Sequence, residues 1–178
     1  MAETNEENKR SPFVERVPEL TGAKWGGMPN EEARRLVDDI LKDGKVAIGG
    51  ILAGLREVDD GSDWKERLLV HMLVTQTSVP EREKEQALVG AVMLEALEED
   101  RPAPVKAFLV QQLRLFADEA ALPRLAPLLE DGDAALVDAV CATMVSIGPG
   151  ARESLRAGAD KAGEQGRRAI EHALDQLS

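Results

Sequence analysis

The sequence predicts an all-α chain built as a stack of helix pairs, an α-solenoid, and three observations carry that prediction. The apolar residues, 43% of 178, are supplied by Leu, Ala and Val; Tyr is absent, and the aromatic residues are Phe13, Trp25, Trp64, Phe108 and Phe116 alone. Ala and Leu are strong helix formers, whereas sheets draw on aromatic and β-branched residues. Apolar stretches of helical period alternate with short breaks rich in Gly, Pro and Asp. The stretches also repeat: "VKAFLVQQLRLFAD" from Val105 overlays "VDAVCATMVSIGPG" from Val137 at an offset of 32 residues, pairing Val105 with Val137, Leu109 with Cys141, Leu113 with Val145 and Leu115 with Ile147. "WKERLLVHMLVTQT" from Trp64 puts Leu68, Met72 and Val74 in the same columns 41 residues earlier. Paired helices at such a period bury their apolar faces only against neighbouring pairs.

The elements follow in order. Residues 1–12 are polar and charged and are expected to form a disordered tail. Residues 13–29 read as an extended segment that packs Phe13, Val17, Trp25 or Met28 onto the first helices. The repeat domain then fills 30–178. Asn30 reads as the N-cap of a helix to about Lys42, with Leu36, Val37, Ile40 and Leu41 as its apolar stripe, and Gly44 breaks it. "KVAIGGILAGLREV" is helical next, its Gly49, Gly50 and Gly54 offering surface for close backbone approach. Asp63 and Glu66 have the spacing of a capping box at the start of the helix holding "RLLVHMLV". A long helix runs from about Pro80 to Glu98, with Pro at a start where no amide partner is lost. Pro102 and Pro104 open "VKAFLVQQLRLF", "ADEAALPRLAPLLE" is its partner, "DGD" and "GPG" bracket the next helix, and a last helix covers about Gln165 to Leu177.

Within "ADEAALPRLAPLLE", Leu122, Leu125, Leu128 and Leu129 share one arc of a helical wheel while Pro123 and Pro127 share the other. Proline removes an amide and crowds the carbonyl four residues back. A bent or late-starting helix is expected, with the carbonyls of Glu119 and Pro123 open to water or a partner.

The formal net charge of -11 repels phosphate, so duplex DNA or an anionic membrane would have to be met by a locally basic face. Residues 63–100 are the most acidic stretch. Arg124, Arg152, Arg156, Lys161, Arg167 and Arg168 gather toward the C-terminal half, but acidic residues interleave with them. Cys141 stands alone, which excludes an intramolecular disulfide and a multi-cysteine zinc site and points to a reducing compartment. The opening residues lack the apolar core of a signal peptide, and no apolar run is long enough to span a bilayer. A cytoplasmic location is expected.

The segment 105–148 resembles tandem HEAT-like repeats. The residues that carry the resemblance are Val105-Lys106 opening the first helix, Leu122-Pro123 near the start of the second, the acidic turn Asp131-Gly132-Asp133, and Ile147-Gly148 closing the next helix. Asp138 follows Val137 where the family usually has a basic residue. The resemblance implies a right-handed stack of about four HEAT-like helical pairs plus a C-terminal helix, with the second helix of each pair on the concave side. It also implies a non-catalytic, protein-binding role as scaffold, adaptor or regulatory or accessory module. Enzymes and cofactor-handling proteins of lyase or chaperone type, and DNA-binding proteins, also occur among HEAT-like folds and form the alternative readings.

Individual residues favour the binding role. HEAT-type di-iron hydroxylases use repeated His-Glu pairs, whereas this chain has only His71 and His172 and no such dipeptide. His71 lies in "LLVHMLV" and is expected in the core or an interface, hydrogen-bonded to a backbone carbonyl; His172 is expected at the surface. Cys141 occupies a leucine column and should be a buried, inert thiol. No phosphate-binding glycine loop is present. No catalytic residue, cofactor or metal ligand is therefore assigned. The candidate partner surface is Trp25, Met93, Pro123, Arg124, Pro127, Arg152 and Arg156, and the expected partner is another protein, not nucleic acid or membrane. Met93 is included because apolar residues encircle the helix of 80–98, and a flexible thioether suits an adaptable contact.

Overall fold

The computed structural model describes residues 11–19, 28–57 and 61–178, and among these there are helices and turns but no strand. The helices are α1 (Pro12–Glu15), α2 (Asn30–Leu52), α3 (Trp64–Thr77), α4 (Glu83–Glu98), α5 (Ala103–Leu113), α6 (Leu122–Leu125), α7 (Ala134–Ile147), α8 (Arg152–Ala159) and α9 (Glu164–Gln176). Single 3-10 turns precede α4, α6 and α8, and another, Ala126–Glu130, follows α6. The chain is an α-solenoid.

Helix α2 is two helical halves joined at Gly44, whose φ of 67° and ψ of -143° only glycine adopts without strain. This is the break expected from the sequence. After it come, in chain order, α3 and α4, α5 and α6, and α7 and α8, and α9 closes the stack on α7 and α8. The first helices α3, α5, α7 and then α9 lie side by side; α4, α6 and α8 with their flanking turns make the second layer.

The repeat register is visible as chemistry. Arg114 Nε donates to Ser146 Oγ at 3.0 Å across 32 residues, and His71 Nδ1 meets Gln112 Oε1 at 3.0 Å across 41. Those separations equal the two sequence offsets, because equivalent positions on neighbouring first helices face each other. Thr143, fully buried, donates to the Val110 carbonyl at 3.1 Å in the same interface. Buried leucines and valines of every pair, including Leu69, Val89, Leu109, Leu125, Leu129, Val140 and Leu155, form one continuous core. Each contributes about 1.5–3 kcal/mol by leaving water.

Helix ends are closed by particular residues. Asp133 accepts the Leu136 amide at 2.9 Å, and Asp131 accepts the Asp133 amide at 2.8 Å, which explains the acidic turn. Gly148, with φ of 101°, terminates α7 where a side chain would be strained. Arg101 reaches back from the α4–α5 loop to the carbonyl of Leu52, the last residue of α2, at 2.7 Å.

Several expectations are corrected. Pro29, not Asn30, holds the N-cap position of α2, and no side chain caps that helix. Asp63 sits at the N-cap of α3 but does not close a capping box; its carboxylate accepts the Arg56 amide at 2.9 Å and Arg67 Nε at 3.0 Å, tying down the loop from α2. Gly49 and Gly50 face open space, so no backbone approaches them. Of the three expected positions only Gly54 is closely approached, by a side chain, since an added Cβ would lie 2.9 Å from Glu66 Cγ; a second close approach occurs at Gly158 beneath Leu129. Leu115, aligned with Ile147, is 55% exposed because α5 ends at Leu113.

At the N-terminal end Phe13, Val14 and Val17 are buried against α2 and α3, with Arg16 paired to Asp39 at 2.7 Å and the buried Lys65 paired to Glu19. Ser11 is buried and Pro12 opens a helix, so the packed part of the chain includes residues assigned to the polar tail. Met28 is partly buried on the core as expected. Residues 1–10 and Trp25 lie outside the described residues.

Candidate functional site

Two clefts open in the second-helix layer, one on each side of α6. The larger, of about 390 Å³, lies between α4 and the chain from the end of α5 to the start of α6. Ala87, Gly90, Ala91 and Leu94 fall on one face of α4 and form one wall; Leu113, Phe116, Ala117, Ala120 and Ala121 form the other. Gly90 is where the walls meet: a Cβ there would stand 3.1 Å from the Phe116 ring, so the half-buried ring rests on bare backbone. A mid-helix glycine costs about 1 kcal/mol against alanine. Glu83, Gln86 and Asp118 give the cleft its polar edge.

The smaller cleft, about 350 Å³, lies between the α6 region and α8. Pro123, Ala126 and Pro127 line one side, Ser154, Ala157 and Gly158 the other, with Glu130, Glu153 and Lys161 at its edge. Lys161 Nζ bridges to Glu130 at 2.7 Å.

The α6 region behaves as its prolines dictate. One α-helical turn, Leu122–Leu125, sits between 3-10 turns at Glu119–Ala121 and Ala126–Glu130, so regular helix is interrupted as expected. Leu125 and Leu129 are fully buried and Leu122 is 9% exposed, while Pro123 and Pro127 face out. The Glu119 carbonyl is not left open, because the 3-10 turn hands it the Leu122 amide.

The residues singled out from sequence do not form one surface. Pro123 and Pro127 share the smaller cleft. Arg124, on the same turn, is half-buried and bridges to Glu98 of α4 at 3.1 Å. Arg152 and Arg156 line a separate cleft of about 390 Å³ with Leu174, Asp175 and Ser178. Met93 is corrected outright: at 1% exposure it is core, since α4 is wedged between α2, α3 and α5 and buries most of its circumference. Sequence reasoning missed the larger cleft. Its signal was the run of small residues Ala87, Gly90 and Ala91 at helical spacing, overlooked beside the large apolar residues of the same helix.

His71 is also corrected: it is exposed, and its partner is the Gln112 side chain and not a backbone carbonyl. His172 is exposed as expected. The fold brings His172, Asp138 and Arg114 to line one 350 Å³ cavity with Cys141, a grouping that the sequence does not reveal. Burial, aided by the Asp138 charge, pushes the Cys141 thiol up to about 12, so it stays protonated at neutral pH and is no nucleophile. Among the described residues no group of three or more His, Cys, Asp or Glu is placed to hold a metal ion, and no helix is long and apolar enough to cross a membrane.

Residues 90–175, from the middle of α4 to the end of α9, match the family model for HEAT repeats. That segment carries HEAT repeats. The matched HEAT segment contains the Arg114–Ser146 rung, the broken α6 and the smaller cleft entirely, and all of the larger cleft except the first part of α4. Comparison with curated proteins and with solved structures returned no match.

Proposed function

We propose that this chain is a non-catalytic protein-binding scaffold, acting as an adaptor, a regulatory subunit or an accessory module through its second-helix layer. HEAT repeats generally mediate protein–protein interaction, and the observation that carries the reading here is the pair of open, apolar-floored clefts flanking α6. Concave surfaces of this kind, apolar at the base and polar at the rim, are where partner side chains anchor. Pro123 and Pro127 stiffen the ridge between the clefts, which lowers the conformational entropy lost on binding.

Affinity capture from the source cell tests this, comparing the native chain with a double variant carrying Ala91→Trp in one cleft and Ala157→Arg in the other. Both sites are exposed, so the fold is retained. The expected result is a stoichiometric protein partner held by the native chain and lost by the variant. Stoichiometric iron or zinc in the purified protein, or duplex DNA binding that weakens steeply with salt in place of any protein partner, overturns the reading.

A further inference from the structure

We infer that the larger cleft, between α4 and the α5–α6 turn, receives an amphipathic helix from a partner protein, with apolar side chains seated over Gly90 and Phe116 and Lys or Arg side chains against Glu83 and Asp118. The inference rests on the scaffold reading and adds the chemistry of the partner.

Charge decides the sign of the occupant. Glu83 and Asp118 are exposed on the cleft edge, no cationic side chain lines it, and neither carboxylate enters an ion pair among the described residues. Lys84, next to Glu83, does not line the cleft, and two further cations of the flanking segments are committed elsewhere. Arg82 bridges to Asp38 at 2.5 Å, and Arg124 bridges to Glu98 at 3.1 Å. Asp118 gives one oxygen to the Ala120 amide at 2.9 Å, which fixes the carboxylate in place and leaves its other oxygen for a partner. In the smaller cleft Lys161 pairs with Glu130 and leaves only Glu153 without an ion pair among the described residues, so that rim carries less uncompensated charge. The larger cleft is thus an uncompensated anionic edge around an apolar floor, on a chain of net charge -11. Charge placed this way steers and selects a cationic partner.

Shape decides the conformation. Ala87, Gly90 and Ala91 on one wall and Ala117 and Ala120 on the other keep both walls low, so a helix can approach near the short end of the 8–10 Å interaxial range. Helix-in-groove docking reads anchors at i, i+3, i+4 and i+7. No strand occurs among the described residues, so an extended peptide has no sheet edge to extend.

The test uses the full chain and three synthetic helical peptides sharing one apolar face, Leu and Phe at i, i+3, i+4 and i+7, with every polar position Lys, Gln or Glu. Fluorescence anisotropy should show the Lys peptide binding on the order of tenfold tighter than the Gln peptide, and the Glu peptide not binding. Raising NaCl from about 50 to about 300 mM should weaken the Lys peptide several-fold. Ala91→Trp should abolish its binding, Glu83→Lys should weaken it on the order of tenfold, and Ala157→Arg should leave it unchanged. Equal binding of the three peptides, no binding, or an Ala157→Arg effect matching that of Ala91→Trp overturns the assignment. Self-association that Ala91→Trp removes in sedimentation gives the cleft to a second copy and overturns it too. A cellular partner kept by Ala91→Trp alone but lost with Ala157→Arg rejects this inference while leaving the scaffold reading standing; a partner lost with neither rejects both.

Discussion

Two glycine-to-alanine substitutions should move stability in opposite directions, and the structure sets both signs. Gly50 is exposed in the second half of α2, and a Cβ built there meets nothing within 4 Å. Alanine then only removes backbone freedom from the unfolded chain, which stabilises by about 0.5–1 kcal/mol. Gly158 has the same helical backbone in α8, so the same propensity gain applies. Its Cβ, however, would lie 2.6 Å from Leu129 Cδ1 and 3.0 Å from Leu129 Cβ. Leu129 is fully buried, and its Cβ cannot swing aside by a change of rotamer, so α8 must shift away from the α6 region. Overpacking of this kind costs about 1–3 kcal/mol and exceeds the propensity gain. Urea denaturation followed by helix circular dichroism reads the difference: the midpoint should rise for Gly50→Ala and fall for Gly158→Ala, with the slope unchanged. A Gly158→Ala chain as stable as the native one would refute the packing of α8 against Leu129. A Gly50→Ala chain less stable than native would refute the open environment of that helix face.

Leu113→Ala removes a side chain 1% exposed in α5 and should cost about 2–5 kcal/mol in the same assay; a change within about 0.5 would contradict its place in the core. Arg101→Ala strips the donor from the Leu52 carbonyl at the end of α2 and should cost about 1–2 kcal/mol, whereas a neutral result would mean that water replaces it freely. Cys141 should resist alkylation at pH 8 in the native state and react in urea. Because its folded value is raised from 9.0 to about 12, the unfolded chain loses its thiol proton first. Stability is therefore intact below about pH 9 and falls by about 1.4 kcal/mol per unit as pH climbs toward 12. Cys141→Ala should flatten that limb relative to the native chain, and an unchanged limb would assign it to other groups.

The stack was legible because its determinants are local and periodic. The apolar columns of Val105 and Val137, and of Leu109 and Cys141, are buried side chains in equivalent first helices, and Gly44, Gly148, Asp131 and Asp133 perform the terminations that their chemistry suggested. The prolines of α6 announced a broken helix for the same reason. Misplaced residues depend on what a distant element does. Met93 and His71 both sit in apolar runs, yet one is covered by three helices while the other points out toward Gln112. An apolar run fixes a residue's neighbours in sequence but not the side of the helix on which the next layer lies. Asp63 and Glu66 have the spacing of a capping box, but the Arg56 amide from the loop after α2 and the Arg67 guanidinium of α3 are competing partners. The larger cleft was hidden because the helical spacing of its small residues Ala87, Gly90 and Ala91 is masked by the large apolar residues of the same helix.

The irregular interval of the repeat and the position of that cleft have a common origin. Rungs between first helices are separated by 41 residues from α3 to α5 and by 32 from α5 to α7. The first-helix layer is unaffected, since both rungs are 3.0 Å hydrogen bonds between equivalent positions. The additional residues must therefore be taken up in the second layer and its loops, and there α4 has 16 residues where α6 has 4. The larger cleft lies along α4 from Glu83 to Leu94, opposite an α6 reduced by its prolines to a single α-helical turn. A long helix facing a truncated one leaves apolar wall that the stack itself cannot cover. The spacing that breaks the regularity of the solenoid is thus the feature that gives it an unfilled, anionic-edged groove for another chain.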